Sequence, residues 1–414
     1  MKRISIWTII LLCILLQINI YALDFDIYSN NVILYNTKEN KVVYEKNSKE
    51  KISIASLTKI TTGIVAIENI KDLDEKVTIT NDDFKGLYEA NAALAGFRVG
   101  EEVTYRDLLY GLMLPSGAEA ARALERNVAG SEEAFIKLMN NKAKELKLEN
   151  THYANPTGLD DPNHYSTAND VLTVFKYALS NKDFKEIVTA KKYTTSDKSI
   201  TFRSTLSKLS GLDMDYVLGG KTGTTEDAGL CLATLANYDD TDFILVTAKA
   251  EYSRTSPRNF LDQKEIYEYV RDNYDYMEVV NKKDVLVTLP TKYLKEDEIS
   301  FTSDKNVKMY LENTFNKKDL KYKYTGEKII TSKMKKNQKI GKVDIYYDKD
   351  KLTTIDIVLK EKPKFSIIKY LLAHKIIVGI ILLLIIIMFI PRKKKKRKRK
   401  KIKIKVKKKK KLLI

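Results

Sequence analysis

Three short clusters carry side chains that could together break an acyl bond: Ser56-Leu57-Thr58-Lys59, Ser116-Gly117-Ala118 and Lys221-Thr222-Gly223. A serine hydroxyl attacks a carbonyl only when a base takes its proton. A lysine can be that base only as a neutral amine, which requires burial or a neighbouring cation. The Ser-x-x-Lys spacing by itself says little, because Ser48 with Lys51, Ser332 with Lys335 and Ser366 with Lys369 repeat it. Ser56 and Lys59 differ in opening a helical pattern, Ser56 to Ile70, in which Ile60, Ile64 and Ile67 recur at helical spacing. Side chains three apart then share a face, and the serine lies at the positive end of the helix dipole.

Lys221 could supply the neighbouring cation. It stands in Gly219-Gly220-Lys221-Thr222-Gly223-Thr224-Thr225, where a lysine and hydroxyls on a strand edge can hold a carboxylate and Gly223 lets another chain approach. A phosphate-binding loop would need glycine at the position that Asp215 occupies, so that alternative is disfavoured. Ser116, in Leu114-Pro115-Ser116-Gly117-Ala118-Glu119, reads alone as an ordinary helix cap and takes a chemical meaning only beside the other two clusters. The three histidines, His152, His164 and His374, lack carboxylate or cysteine partners at ligand spacing, so no metal or other cofactor is expected.

The elements that must position these residues alternate in type. Strand patterns at Asn31 to Asn36 and Lys41 to Glu45 precede the Ser56 helix, and helical patterns follow at Tyr105 to Leu114, Ala118 to Asn127 and Glu132 to Leu148. Asn155-Pro156-Thr157-Gly158 breaks the chain into a loop. Strand character returns around Lys221, at Leu230 to Leu235 and at Phe243 to Ala248, before a last helix near Phe260 to Asp272. Such an order, without regular strand-helix-strand units, points to an α+β domain with an antiparallel sheet packed by helices. From Val279 to about Leu359 the pattern is strand-like throughout, which reads as a small all-β module.

Both ends depart from globular composition. Residues 1–23 begin with Lys2 and Arg3, run apolar from Ile9 to Leu16 and reach Ala22 before Leu23 and Asp24, the layout of a secretory signal. Tyr370 to Ile390 is apolar apart from His374 and Lys375, long enough for a membrane span. The 24 residues after it hold 17 Lys or Arg, which places that tail in the cytoplasm and the body outside. Of the formal net charge of +19, all but the tail and Lys2 with Arg3 cancels. The excess therefore suggests anionic lipid rather than nucleic acid. Without the signal only Cys231 remains, so no intrachain disulfide is available.

In this context the chain resembles the serine D-alanyl-D-alanine carboxypeptidases, the low-molecular-mass penicillin-binding proteins that share a fold with serine β-lactamases. The likeness runs in order through Ile54 to Lys59, Leu108 to Gly117, Met139 to Leu146, Asn150 to Asp160, His164 to Asp170 and Gly219 to Thr225. It implies that Ser56 attacks the penultimate D-alanine carbonyl, Lys59 accepts its proton and Ser116 relays one to the leaving nitrogen. The N–H groups of Ser56 and Thr224 would form the oxyanion hole. Lys221, Thr222, Gly223 and Thr224 would bind the carboxylate side, helped by Arg258, with Arg254 competing for that role. The implied partners are peptidoglycan stem peptides ending in D-Ala-D-Ala, β-lactam antibiotics and the cytoplasmic membrane. The expected order is a signal peptide at 1–23, a peptidase domain at 24–275, a β domain at 279–362 that resembles the family's C-terminal module through Lys339-Ile340-Gly341-Lys342-Val343, a span at 370–390 and a basic cytoplasmic tail at 391–414. One position departs from the pattern: Ala118 stands where the family places an asparagine whose amide contacts the lysine and substrate. That leaves a weakly active or non-catalytic penicillin-binding membrane protein, and a serine β-lactamase, as the rival readings.

Overall fold

A computed structural model describes residues 25–238, 240–253 and 255–389. The expected signal segment, the basic tail and Arg254 lie outside these described residues. The described residues form two compact units, one of 25–276 with Tyr310–Asn313 and the other of 277–309 with 314–389.

In the first unit the strands β1 (Asn31–Asn36) and β2 (Lys41–Lys46) precede α1 (Thr58–Asn69). Two short strands, β3 (Lys76–Thr78) and β4 (Glu102–Thr104), pair before α2 (Tyr105–Met113), α3 (Ala118–Ala129) and α4 (Glu132–Glu145). Helices α5 (Ala168–Ala178) and α6 (Lys182–Thr189) lead to a small hairpin of β5 (Lys192–Thr194) and β6 (Thr201–Arg203). The chain then runs through β7 (Val217–Thr225), β8 (Gly229–Tyr238), β9 (Thr241–Ala250) and α7 (Arg258–Asn273). The main sheet is antiparallel in the order β2-β1-β9-β8-β7, which leaves β7, the strand bearing Lys221, at an edge.

Strand periodicity explains how this sheet carries two cores. Ile33, Ala233 and Val246 face one side with the α1 cluster, whereas Val32, Leu232 and Leu245 face the other with Phe260, Ile266 and Val270 of α7. Helix α1 is more enclosed than an amphipathic pattern implies: every residue from Thr58 to Ile67 is buried. It runs through the interior among α2 to α6, and Lys59 goes in with it.

Two helices, α5 and α6, lie where the sequence reading placed none, and both have side-chain caps. The Thr167 hydroxyl accepts from the Asp170 N–H at 3.0 Å, and the Asn181 carbonyl oxygen from the Phe184 N–H at 3.0 Å. A cap of this kind satisfies N–H groups that the first helical turn leaves unpaired.

The second unit is all-β apart from its end. One sheet has the order β11-β10-β13 (Glu298–Thr302, Val285–Lys292, Ile330–Thr331) and another the order β12-β14-β15 (Leu320–Gly326, Lys339–Tyr347, Asp350–Val358). The expected single helix across 370–390 is replaced by α8 (Ile367–Ala373) and α9 (Lys375–Phe389), bent by 92°. His374 closes α8 outside helical geometry, at φ −114° and ψ 38°, and its ring stacks on Tyr370 at 4.3 Å. Among the described residues no single helix is long and apolar enough to cross a membrane.

Candidate active site

Ser56 sits in a single 3-10 turn, Ala55–Leu57, that feeds directly into α1. Lys59 follows one turn later, with its Nζ 2.9 Å from the Ser56 Oγ and 2.6 Å from the Thr157 carbonyl oxygen. An ammonium would donate to both oxygens. A neutral amine donates to the carbonyl, which can only accept, and leaves its lone pair for the Ser56 proton. Burial pushes Lys59 down to about 7, against an opposing pull from the Glu119 carboxylate. Near neutral pH a large share of Lys59 is therefore competent as a base.

A second lysine–serine pair faces the first. The Lys221 Nζ, fully buried, donates to the Ser116 Oγ at 2.8 Å and to the Thr222 carbonyl at 2.8 Å. Burial, then the charge of Lys59, pushes Lys221 well below the ordinary lysine range. The sequence expectation that Lys221 would be the cation depressing Lys59 is corrected here: burial in α1 is the principal cause, and Lys221 is itself depressed.

Backbone approach fixes the two pairs in place. A Cβ on Gly223 would meet Ile54 O and Ser56 N, both at 3.1 Å, so β7 lies directly against the nucleophile turn. Gly158 has φ +81°, and a Cβ there would fall 2.0 Å from the Ala55 carbonyl oxygen. Only glycine fits that loop as built. The loop is organised by Asn155, whose Oδ1 accepts from Thr157 N, Thr157 Oγ1, Gly158 N and Leu159 N at 2.8–3.2 Å. Its product is the Thr157 carbonyl aimed at Lys59.

The turn carrying Ser116 is held differently. Ser116 has φ +70° and Gly117 caps α3 without a side-chain bond. Ala118, 1% exposed, offers only a methyl group, while its N–H donates to Ala93 O at 2.8 Å. Glu119 turns away from the serines: its Oε1 accepts from Ala95 N at 2.6 Å and Gly96 N at 2.9 Å, and its Oε2 is buried without a partner. Burial raises the Glu119 carboxyl. Thr205 ties this side together, because its hydroxyl accepts from the Thr222 hydroxyl at 2.9 Å and its N–H donates to Leu114 O at 3.1 Å.

Of the residues singled out in the sequence, Ser56, Lys59, Ser116, Lys221, Thr222 and Gly223 come together. Thr224 follows on the same strand, its hydroxyl turned to Gly223 O at 2.8 Å. Arg258 has other partners: it opens α7, pairs with the Glu251 carboxylate and lies over the Tyr28 ring at 4.7 Å. Sequence reasoning missed the Thr157 carbonyl, Asn155, Thr205 and His164 as parts of the site. Asn155 alone carried a readable signal, an Asn-Pro-Thr-Gly turn. Among the described residues no cluster of His, Cys, Asp or Glu could hold a metal ion.

Comparison with known proteins bears on what this geometry is for. A family model described as D-alanyl-D-alanine carboxypeptidase matches residues 19–251, and one described as penicillin-binding protein 5, C-terminal domain, matches residues 274–364. The D-alanyl-D-alanine carboxypeptidase DacF of Bacillus subtilis is 28% identical over 81% of this chain and 86% of its own length. DacC of Escherichia coli is 31% identical over 75% and 78%. Among solved structures, the Streptomyces K15 DD-transpeptidase is 30% identical, covering 59% of this chain and 98% of its own with a TM-score of 0.55. DacD of Francisella tularensis superimposes over 83% of this chain and 95% of its own, with a TM-score of 0.65 at 21% identity, a likeness of fold alone.

Proposed function

This chain belongs to the D-alanyl-D-alanine carboxypeptidase family, and from that premise we infer how its residues divide the work. It is a serine-type D-Ala-D-Ala carboxypeptidase acting on peptidoglycan stem peptides. We assign attack to Ser56 and proton acceptance to neutral Lys59. The oxyanion formed at the penultimate D-alanine carbonyl is received by the N–H groups of Ser56 and Thr224. As the intermediate collapses, the C–N bond breaks and the proton that Lys59 took from Ser56 is relayed through the Ser116 hydroxyl to the departing D-alanine nitrogen, which leaves Lys59 neutral again. Water then attacks the Ser56 ester; Lys59 takes its proton and returns it to the Ser56 oxygen as the ester C–O bond breaks, and the shortened peptide leaves as a carboxylic acid that ionises. β-Lactams acylate the same serine.

The observation that carries this assignment is the 2.9 Å approach of a desolvated Lys59 amine to Ser56. Lys221 and Thr222 hold the terminal carboxylate, and Arg258 joins them only by giving up Glu251. Ala118 favours a slower relative of the usual enzyme, since a lost amide contact costs on the order of 1–3 kcal/mol. The test is incubation of the full chain in detergent with a diacyl-lysyl-D-alanyl-D-alanine peptide and with labelled penicillin. Peptide cleavage and a long-lived adduct that Ser56→Ala abolishes are expected. Rapid penicillin turnover would instead indicate a β-lactamase, and neither activity would indicate a binding protein.

We place the peptidase unit outside the cytoplasmic membrane, following a signal peptide at 1–23, with the β domain at 279–362 as a spacer. Supporting this are the apolar run 370–390 and the basic tail 391–414. Helix α9 extends about 22 Å against a hydrocarbon core of about 30 Å, so a span needs residues beyond Phe389. The bent α8, with Ile367, Ile368, Leu371 and Leu372 exposed, suits the bilayer surface, and the tail suits anionic lipid on the inner face.

A further inference from the structure

His164 takes no part in the steps above, yet it is buried between the loop that presents the Thr157 carbonyl and the turn that presents Ser56. Its ring makes two hydrogen bonds whose polarity can be worked out. The Ala154 backbone N–H lies 3.1 Å from Nδ1 and can only donate, so Nδ1 is the unprotonated nitrogen. Nε2 therefore carries the hydrogen and donates to the Thr58 Oγ1 at 2.7 Å. The Thr58 hydroxyl is then free to donate onward to the Ala55 carbonyl at 2.8 Å, an oxygen that can only accept. Every member of the chain is satisfied in this one arrangement. Burial keeps the ring neutral by pushing His164 down to about 4, with Asp161, His152, Asp160 and Lys59 as the charged groups acting on it.

The end of this chain is a strained residue. Ala55 has φ +47°, a left-handed conformation that is sterically disfavoured for any residue but glycine. The strain turns Ser56 toward Lys59, and the Ala55 carbonyl is the group that Thr58 holds from one side and Gly158 walls in from the other. The Thr58 backbone N–H also donates to that carbonyl, and the hydroxyl adds the second bond; with the second bond gone, the turn can relax toward an ordinary helical start and carry the Ser56 hydroxyl away from the amine.

Building on the proposed Ser56 mechanism, we propose that His164 is a positioning residue: its Nε2–H, acting through the Thr58 hydroxyl, locks the Ala55 turn that aims Ser56 at Lys59. The Nδ1 arm to Ala154 sets the tautomer, and the Nε2 arm acts on the nucleophile.

The two arms can be cut separately in the full-length protein, with stopped-flow acylation by labelled penicillin as the readout. Thr58→Val removes the hydroxyl at constant shape. His164→Asn keeps an acceptor near Nδ1 and loses the Nε2 donor. Both should lower the saturated acylation rate about ten- to a hundredfold, the scale of a displaced reacting group, with the non-covalent dissociation constant unchanged. Thr58→Ser and His164→Gln, which keep the second arm, should recover most of that rate. The double variant Thr58→Val with His164→Asn should be no slower than either single one, because both cut the same chain. Thermal melting of each variant separates misfolding from misalignment. Wild-type rates in both Thr58→Val and His164→Asn, a loss confined to the dissociation constant, or fully additive losses would overturn the proposal. A wild-type protein that forms no adduct at all would instead overturn the peptidase reading on which the proposal rests.

Discussion

The two turns that carry serines into this site are built to different standards. Around Ser56 the backbone is fixed from several directions: Thr58 and Gly158 on the Ala55 carbonyl, Gly223 against the Ser56 N–H, and the Asn155 loop supplying a carbonyl to Lys59. Around Ser116 the backbone is held by main-chain bonds, Gly117 N–H to Gly111 O and Ala118 N–H to Ala93 O, and what is lacking is side-chain support. Lys221 holds the hydroxyl, but the next helical position is Ala118 and the nearby carboxylate of Glu119 has an oxygen with no partner. The difference teaches that what this site does and how well it does it are set by separate regions. A nucleophile, a desolvated base and a strained turn define the reaction, while the Ser116 arm tunes substrate alignment and proton return.

Cutting the better-built arm should cost most. Lys59→Met, nearly isosteric and uncharged, should reduce Ser56 acylation by roughly 10²- to 10⁴-fold with little loss of folding, read by adduct formation and melting temperature. Asn155→Ala comes next, because four donors lose one acceptor and the Thr157 carbonyl loses its aim. About 2–3 kcal/mol of stability should go, with a fall in acylation rate. If that variant melts normally and reacts normally, the loop does not brace the site.

Strengthening the weaker arm should help. Ala118→Asn should speed acylation by about tenfold, equivalent to ~1.4 kcal/mol of transition-state stabilisation. An unchanged rate would mean that Glu119 or another group already does the asparagine's work. Glu119→Gln asks that question directly. Its negative field favours the Lys59 ammonium, so removing it should move the acid limb of the acylation profile to lower pH. Arg258→Ala should have the smallest effect, a higher KM for peptide with kcat unchanged, since Arg258 is already paired with Glu251.

The sequence was readable where its information is local. The apolar run Val32, Ile33 and Leu34 identified a strand, and the isoleucines of α1 identified its helix. The helices α5 and α6 passed unread although Thr167 with Asp170 and Asn181 with Phe184 are local cap signals. The site's support was hidden for a different reason. Lys59 meets Thr157, and Thr58 meets His164, across about a hundred residues of chain, and the group offered to Lys59 is a backbone carbonyl that any residue type could present. The 92° bend at His374 interrupts a run that is apolar on both sides of it, so composition alone reads as one continuous segment.

The central claim is that burial makes Lys59 a neutral base within hydrogen-bond reach of Ser56. Acylation of Ser56 by labelled penicillin, measured at saturation from pH 5 to 10, tests it most directly. Because only the unprotonated amine can take the serine's proton, the rate should rise about tenfold per pH unit and level off above a midpoint near 7. A rate still climbing through pH 9 to 10 would mean that Lys59 keeps its proton as an exposed lysine does, and would contradict the account.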